Sequence, residues 1–418
     1  MKVLVVYQYY QDRAAPGHSL VYELTQYLAS RGHDVTVVSG ETGYMDPSQP
    51  QVPWYRRLVR REREGGVTVL RTYTYSELHR SYIGRLLSFL SFSITCPLGL
   101  LMAGRHDVAL ASSPPIFPMF TAWLICKLRG IPFVLEVRDL WPASAVQMGV
   151  LKNRHLIAIM GWMEQTLYNR SRRIIALTEG IRGDICARGW PENKVALVTC
   201  GVDADQLYPD LAAGERLRQR FGWEDRKVIL YFGALGEANN IPVILRAARR
   251  LEKNPDYLFV LVGNGMKREE TTHWLQRNGV TNVQLLPPVP KEEARSYINA
   301  ADLCLATLKD IPLFHGAIPT KLIDYMACGK PVLCGIRGEA QTIVEAAGGG
   351  VLFAPDADDE LARLVTELAH DPTRCLALGD SGHAYVRERF SAATMRAHTE
   401  SVLSEAISDS LPKVANGI

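Results

Sequence analysis

The sequence predicts an α/β protein of two doubly wound domains, and three observations carry that prediction. Short apolar runs alternate with helical segments along nearly the whole chain. The same plan starts twice, at Met1-Lys2-Val3-Leu4-Val5-Val6-Tyr7 and at Val228-Ile229-Leu230-Tyr231-Phe232-Gly233. A chain of 418 residues is also long enough for two cores of ordinary size.

In the first half the spacing predicts strands at 3–7, 35–39, 67–72, 108–112, 133–137, 174–178 and 195–199. A helix over 19–31 carries Leu20, Glu23, Leu24, Tyr27 and Leu28 at helical spacing and stops at Gly32. Strands separated by helices imply right-handed crossovers and a parallel sheet. The stretch 201–227 is more polar, contains Pro209 and Gly214, and reads as the linker. Further strands are expected at 228–233, 258–263, 283–286, 303–306, 332–334 and 350–353, with closing helices at 358–370 and about 392–407. The expected domains are 1–203 and 204–385, with a terminal helix near 386–408 returning to the first. A ligand is expected where strand ends meet, in a cleft between the domains.

Composition narrows the class. Hydrophobic residues make up 47% and charged residues 22%, as in a soluble globular protein. The eight cysteines show no metal-ligand spacing, and Cys96, Cys126, Cys200, Cys304 and Cys334 lie in apolar runs, which suits buried thiols in a cytosolic protein. The net charge of +3 conceals an asymmetry, since residues 1–204 carry 23 Lys+Arg against 16 Asp+Glu. Arg56, Arg57, Arg60, Arg61 and Arg63 form a dense patch, suited to anionic lipid or diphosphate, or else to a solvated helix face. The patch lacks interleaved aromatics, which argues against nucleic acid. Residues 86–103 carry no charge, but Ser88, Ser91, Ser93, Thr95, Pro97 and Gly99 interrupt the pattern, so the segment reads as a buried or interfacial helix. With the patch before it, it makes 54–103 a peripheral membrane contact.

The most informative run is Phe314 to Cys334. Gly316-Ala317-Ile318-Pro319 is a loop of small residues that lets backbone approach a ligand. The helix that follows points its unpaired N–H groups at that loop, a natural anion site reached by Thr320 and, with a formal charge, by Lys321. Asp324 is placed for two ribose hydroxyls. Phosphate charge, lysine and sugar-binding acid on one element point to a nucleotide sugar. Three other places support such a site. Gly263-Asn264-Gly265-Met266-Lys267 follows a strand, with Lys267 a candidate for phosphate. Gly233 ends the first strand of the second half. Gly17-His18-Ser19 stands at a helix start, with Ser19 also a candidate cap. Glu136-Val137-Arg138-Asp139-Leu140-Trp141-Pro142 ends a strand in the first half; Arg138 and Asp139 read either as an ion pair or as part of a site.

Taken together these residues resemble the retaining glycosyltransferases of family 4, of the GT-B fold, with two Rossmann-like domains facing a cleft. Within that family they resemble the branch that builds bacterial surface polysaccharide, such as lipopolysaccharide O-antigen, on polyprenol diphosphate. The marks are 28–37, Ser113-Pro114-Pro115, 137–142, Gly201-Val202-Asp203 and 319–332. The resemblance implies a UDP-sugar donor, a lipid-linked or small glycan acceptor, no metal requirement and a cytoplasmic enzyme peripheral to the membrane. It implies catalysis by Lys321, Lys267, Arg138, Asp139 and Glu136, with donor contacts from Asp324, Gly17, Gly233, Gly263, Gly265, Gly316, Ala317, Ile318 and Thr320. The chain departs from the family pattern at Gly316, where a glutamate is usual, at Arg138, where histidine is common, and at Ala143, where relatives often have glutamate. Residues 233–240 also lack the usual arginine and lysine. A nucleotide-sugar epimerase and a catalytically silent scaffold are the rival readings.

Overall fold

The structure is a computed structural model that describes residues 1–17, 20–45, 58–77 and 81–409. It divides into two units, the first of residues 1–12, 18–199 and the chain from 395 onward, the second of residues 13–17 and 200–394.

The first unit runs β1 (Lys2–Val6), α1 (Leu20–Ser30), β2 (Asp34–Gly40), β3 (Val59–Glu64), β4 (Val67–Thr72), α2 (Tyr82–Met102), β5 (Val108–Ser113), α3 (Ile116–Leu128), β6 (Phe133–Val137), α4 (Ala143–Gln147), α5 (Arg154–Arg170), β7 (Arg173–Ala176), α6 (Glu179–Ala187) and β8 (Val195–Leu197). Its sheet has the order β3-β4-β2-β1-β5-β6-β7-β8, and among the described residues only β3 is antiparallel to its neighbour. Val3 to Val6 and all of β5 are buried, as strands covered on both faces must be.

Three features depart from the sequence reading. Arg60, Arg61 and Arg63 lie on the edge strand β3, not on a helix, and Arg60 is paired with Glu41 at 3.6 Å and Glu62 at 3.3 Å. Arg56 and Arg57 lie outside the described residues, as do His18 and Ser19 with its capping role. The uncharged segment is one continuous helix through Pro97. Its hydroxyls do not break it, because they bond back along the helix: Thr95 Oγ1 donates to Ser91 O at 3.0 Å and Ser93 Oγ to Phe89 O at 2.7 Å. Cys96, Cys126, Cys304 and Cys334 are buried, whereas Cys200 is only partly so.

The second unit runs α7 (Leu211–Phe221), β9 (Lys227–Phe232), α8 (Ile241–Arg250), β10 (Tyr257–Val262), α9 (Arg268–Asn278), β11 (Val283–Leu286), α10 (Ala294–Ala300), β12 (Leu303–Thr307), α11 (Thr320–Ala327), β13 (Val332–Gly335), α12 (Glu339–Ala347), β14 (Gly350–Leu352), α13 (Asp358–Ala369) and α14 (Pro372–Arg389). The sheet is parallel, in the order β11-β10-β9-β12-β13-β14, so the winding reverses between β9 and β12. Val243, Ile244 and Ala247 of α8 and Leu361, Leu364 and Val365 of α13 pack on Ile229, Phe259 and Leu305 of the strands. Each such aliphatic side chain contributes roughly 1.5–3 kcal/mol on burial. The polar stretch 201–227 holds α7, whose Leu217 is buried, and the following Trp223, fully buried with Nε1 donating to Gln284 at 3.0 Å.

The last helix, α15 (Ala392–Ser408), crosses from the second unit into the first. Glu400 on it accepts from Tyr27 Oη at 2.8 Å and pairs with His33 Nε2 at 2.8 Å, while Asp409 just beyond pairs with Arg173 at 2.7 Å.

Candidate functional site

In the second unit the site grows from the reversal of winding, where the loops after β9 and β12 part and leave backbone uncovered. The chain leaves β9 at Gly233, which has φ 143°, a conformation closed to most side chains. A Cβ there would also come within 3.2 Å of Lys321 Cε and 3.3 Å of its Nζ. The backbone angle and the Lys321 side chain beside it both favour glycine at position 233.

Lys321 occupies the first turn of α11. Tyr325, one turn on, ties this helix to the end of β9, accepting from Phe232 N at 2.8 Å. The Lys321 ammonium is 3.8 Å from the centroid of the Tyr231 ring, donates to Tyr231 Oη at 2.5 Å and reaches Asn239 Oδ1 at 3.3 Å. Among the described residues no carboxylate pairs with it. Burial displaces water from the charge and lowers its pKa to about 7. An additional negative group beside it would restore the ammonium.

Gly263 and Gly265 lie beside this position. Their loop is stitched to the one after Gly233, since Leu235 N donates to Asn264 O at 2.8 Å and Lys267 N to Leu235 O at 2.9 Å. A Cβ on Gly265 would meet Leu235 O at 2.4 Å, so only glycine allows this approach. Lys267 is held by Glu237 at 2.9 Å and Glu270 at 2.7 Å. Desolvation works against its charge, but these two bonds prevail and raise its pKa. Glu237 also bonds Lys309. Asp324 is engaged too, by Lys291 Nζ at 3.0 Å. The backbone N–H of Lys291 donates to Ala15 O at 3.4 Å, and Pro16 bridges Pro290, so the segment ending at Gly17 (φ 116°) joins this cluster. Gly316 closes a short 3-10 turn, Pro312–Gly316, and Ala317, Ile318 and Thr320 follow it, all partly exposed.

In the first unit the predicted residues gather at the end of β6. Arg138 pairs with Glu136, Nε to Oε2 at 3.1 Å, and not with Asp139. Glu136 also accepts from Ser112 Oγ at 2.5 Å, and the Arg138 guanidinium lies 5.5 Å from the Tyr7 ring centroid. Asp139 accepts from Ser144 Oγ at 3.1 Å, and burial raises its pKa. Nearby, Arg85 of α2 lies over the rings of Tyr44 and Phe89, at 5.7 and 5.9 Å.

Tyr231, Asn239, Glu237, Lys291 and Lys309 were not singled out from the sequence. The partners of Lys321 stand some eighty to ninety positions away. The one local signal was the pair Asn239-Asn240 between a strand and a helix. Asn240 takes a left-handed conformation (φ 46°) and anchors the loop by donating to Pro355 O at 2.8 Å.

Comparison with known proteins places this geometry in a family. Residues 18–201 match the family model described as glycosyl transferase 4-like domain, and residues 214–384 match that of glycosyl transferases group 1. The putative colanic acid biosynthesis glycosyl transferase WcaI of Escherichia coli is 25% identical over 349 residues, 82% of this chain and 84% of its own length. The D-inositol 3-phosphate glycosyltransferase of Thermobispora bispora is 26% identical over 403 residues, covering 93% of this chain and 89% of its own. Among solved structures, sucrose-phosphate synthase from Thermosynechococcus elongatus superposes with a TM-score of 0.72 at 18% identity, over 98% of this chain and 100% of its own. Anabaena HepE in complex with UDP and glucose gives 0.72 at 17% identity, over 97% and 99%. Two family models matched in order, and a fold shared along almost the whole chain, make this protein a member of the family 4 type of glycosyltransferases, with the GT-B fold.

Proposed function

We propose that the protein is a retaining glycosyltransferase that moves a sugar from a UDP-sugar, such as a UDP-N-acetylhexosamine, to a hydroxyl of a polyprenol-diphosphate-linked acceptor in surface-glycan assembly. The observation that carries this reading is Lys321: a cation in the first turn of a helix, against glycine backbone, without a carboxylate partner among the described residues. As the bond between the anomeric carbon and the diphosphate oxygen breaks, negative charge gathers on the diphosphate. A positioned ammonium and helix N–H groups stabilise that charge more than they stabilise the intact donor. In this reading Gly233, Gly263 and Gly265 give the nucleotide room, Asp324 takes the ribose once Lys291 yields it, and Glu136, Arg138 and Asp139 position the acceptor. The reaction needs no metal ion and takes place at the cytoplasmic face of the membrane. HepE, solved with UDP-glucose, supports the donor class, and WcaI, named for colanic acid biosynthesis, supports the pathway class.

A catalytically silent scaffold is the second reading, favoured by the internal pairing of both Lys267 and Asp324. The purified protein, incubated with a panel of UDP-sugars and a short polyprenyl-diphosphate-linked sugar, with and without magnesium, separates the two. Transfer seen by mass spectrometry, equal in both conditions, supports the enzyme. Tight UDP binding without transfer or donor hydrolysis supports the scaffold.

A further inference from the structure

Asp324 meets its cation from another element. Lys291 opens a short 3-10 turn, Lys291–Glu293, that runs straight into α10. Its ammonium lies 3.0 Å from Asp324 Oδ2, and the two side chains are only 15% and 18% exposed. Shelter from water limits screening, so this pair holds more firmly than one on an open surface. Among the described residues Lys291 is the one cation paired with Asp324. Arg295, one turn on, is taken by Asp210 at 3.3 Å and lies 4.4 Å from the Tyr208 ring centroid.

The backbone of Lys291 is fixed from two sides. After it, α10 is anchored by the buried Ala294, Tyr297 and Ile298. Beside it runs the strap Ala15-Pro16-Gly17: Pro16 forms an antiparallel bridge with Pro290, and the Lys291 N–H donates to Ala15 O at 3.4 Å. Residues 13–17 count with the second unit, although β1 and α1 on either side of them belong to the first. The two proline rings set their own φ, so little backbone freedom is lost where the strands touch. With the backbone held, the flexible stem of Lys291 is the part that can swing. A carboxylate oxygen that already accepts from an ammonium is a poor acceptor for a neutral hydroxyl, whose bond is the weaker of the two. A ribose that takes Asp324 must therefore displace the ammonium.

We propose that Lys291 is an autoinhibitory gate on the ribose-binding carboxylate, held over Asp324 by the strap 15–17 until the two hydroxyls of a nucleotide's ribose displace it. The inference rests on the proposed function, which assigns Asp324 to the ribose. It adds that this chain lowers its own affinity for the nucleotide through a residue that the bound nucleotide pushes aside. The same competition speeds the departure of UDP after transfer, because the returning ammonium claims the oxygen that the ribose holds.

The test is calorimetric titration of the full chain with UDP and with 2′,3′-dideoxyuridine diphosphate, which lacks both ribose hydroxyls. The ratio of the two affinities isolates the ribose contact, because the loss of one positive charge acts on both diphosphates alike. Lys291→Met is expected to raise the ratio in favour of UDP by about fivefold, the worth of an ion pair that no longer has to be broken. Pro16→Gly leaves both charged side chains in place and loosens the strap, and is expected to raise the ratio in the same direction by about twofold. An unchanged ratio in either variant, with UDP still bound, overturns this inference alone. A ratio that falls in Lys291→Met makes Lys291 a positioning residue for Asp324 and also overturns it. Wild-type protein that binds neither nucleotide overturns the proposed function, and the gate with it.

Discussion

At the end of β6 the cation Arg138 is matched by a carboxylate, whereas in the first turn of α11 the cation Lys321 is matched, among the described residues, by a phenol and an amide. Both groups are partly buried and each stands at the C-terminal edge of a parallel sheet. A paired charge holds its surroundings in place and is costly to disturb. An unmatched one leaves electrostatic work undone, and that work is available to an anionic ligand. In the reading proposed above, the first edge is a braced set of groups that positions the acceptor, and the second offers a charge that an anionic ligand can complete. Lys267 and Asp324, in the same unit as Lys321, are of the first kind, since each is held by an opposite charge.

The largest expected effect falls on Lys321. Replacing it with alanine should lower kcat by roughly 10²–10³, the loss typical of one transition-state charge contact. Steady-state transfer kinetics measure this, and an unchanged rate would remove the residue from the mechanism. Stability sharpens the contrast. Arg138→Ala leaves Glu136 in a largely buried place without its cation and should cost about 3 kcal/mol in denaturant unfolding. Lys321→Met, which removes a cation that has no carboxylate partner, should leave the melting temperature unchanged or raise it. Equal losses in the two variants would erase the distinction.

The third effect is on pH. In the folded chain Lys321 titrates near pH 7, below an unfolded lysine, so between about 7 and 10 the unfolded state binds more protons. This group's contribution to the stability of the unliganded protein therefore rises with pH across that window, and its full penalty applies below it. In the proposed reading UDP binds against the ammonium, so its affinity should fall about tenfold per pH unit above 7, a slope absent in Lys321→Met. Calorimetric titration of UDP across this range measures it.

The smallest effect concerns Glu237. Burial disfavours its ionised form, but the bonds from Lys309 and Lys267 prevail and lower its pKa. Glu237→Gln frees part of that positive charge and should tighten UDP binding by a few-fold, at a stability cost of about 1 kcal/mol or less. Weaker binding would mean that Glu237 positions Lys267 for the nucleotide and does not compete for it.

Much of this was legible in the sequence, for identifiable reasons. The parallel strands announce themselves because strands buried on both faces are short unbroken apolar runs, as in β1, β5 and β10. Strand β3 did not, because Val-Arg-Arg-Glu-Arg-Glu lacks apolar alternation; it is held by its ladder to β4 and by ion pairs such as Arg71–Glu64 at 2.7 Å. Helix α14 escaped notice because its inward positions include Gly379 and Gly382, where close backbone contact replaces apolar side chains. The helix carrying Lys321 and Asp324 was readable from small residues, proline and a glycine stop. That Lys321 would find Tyr231 and Asn239, and Asp324 would find Lys291, was not, since those partners come from other elements brought near by the winding of the sheet.

The most direct measurement is the thermal shift produced by UDP, with and without magnesium, on the wild type and on Lys321→Met. The account predicts a stabilisation of the wild type that magnesium does not alter, and a variant that folds as well but no longer responds. An equal shift in both proteins would contradict it, because the nucleotide would then bind without the Lys321 ammonium that the account assigns to it.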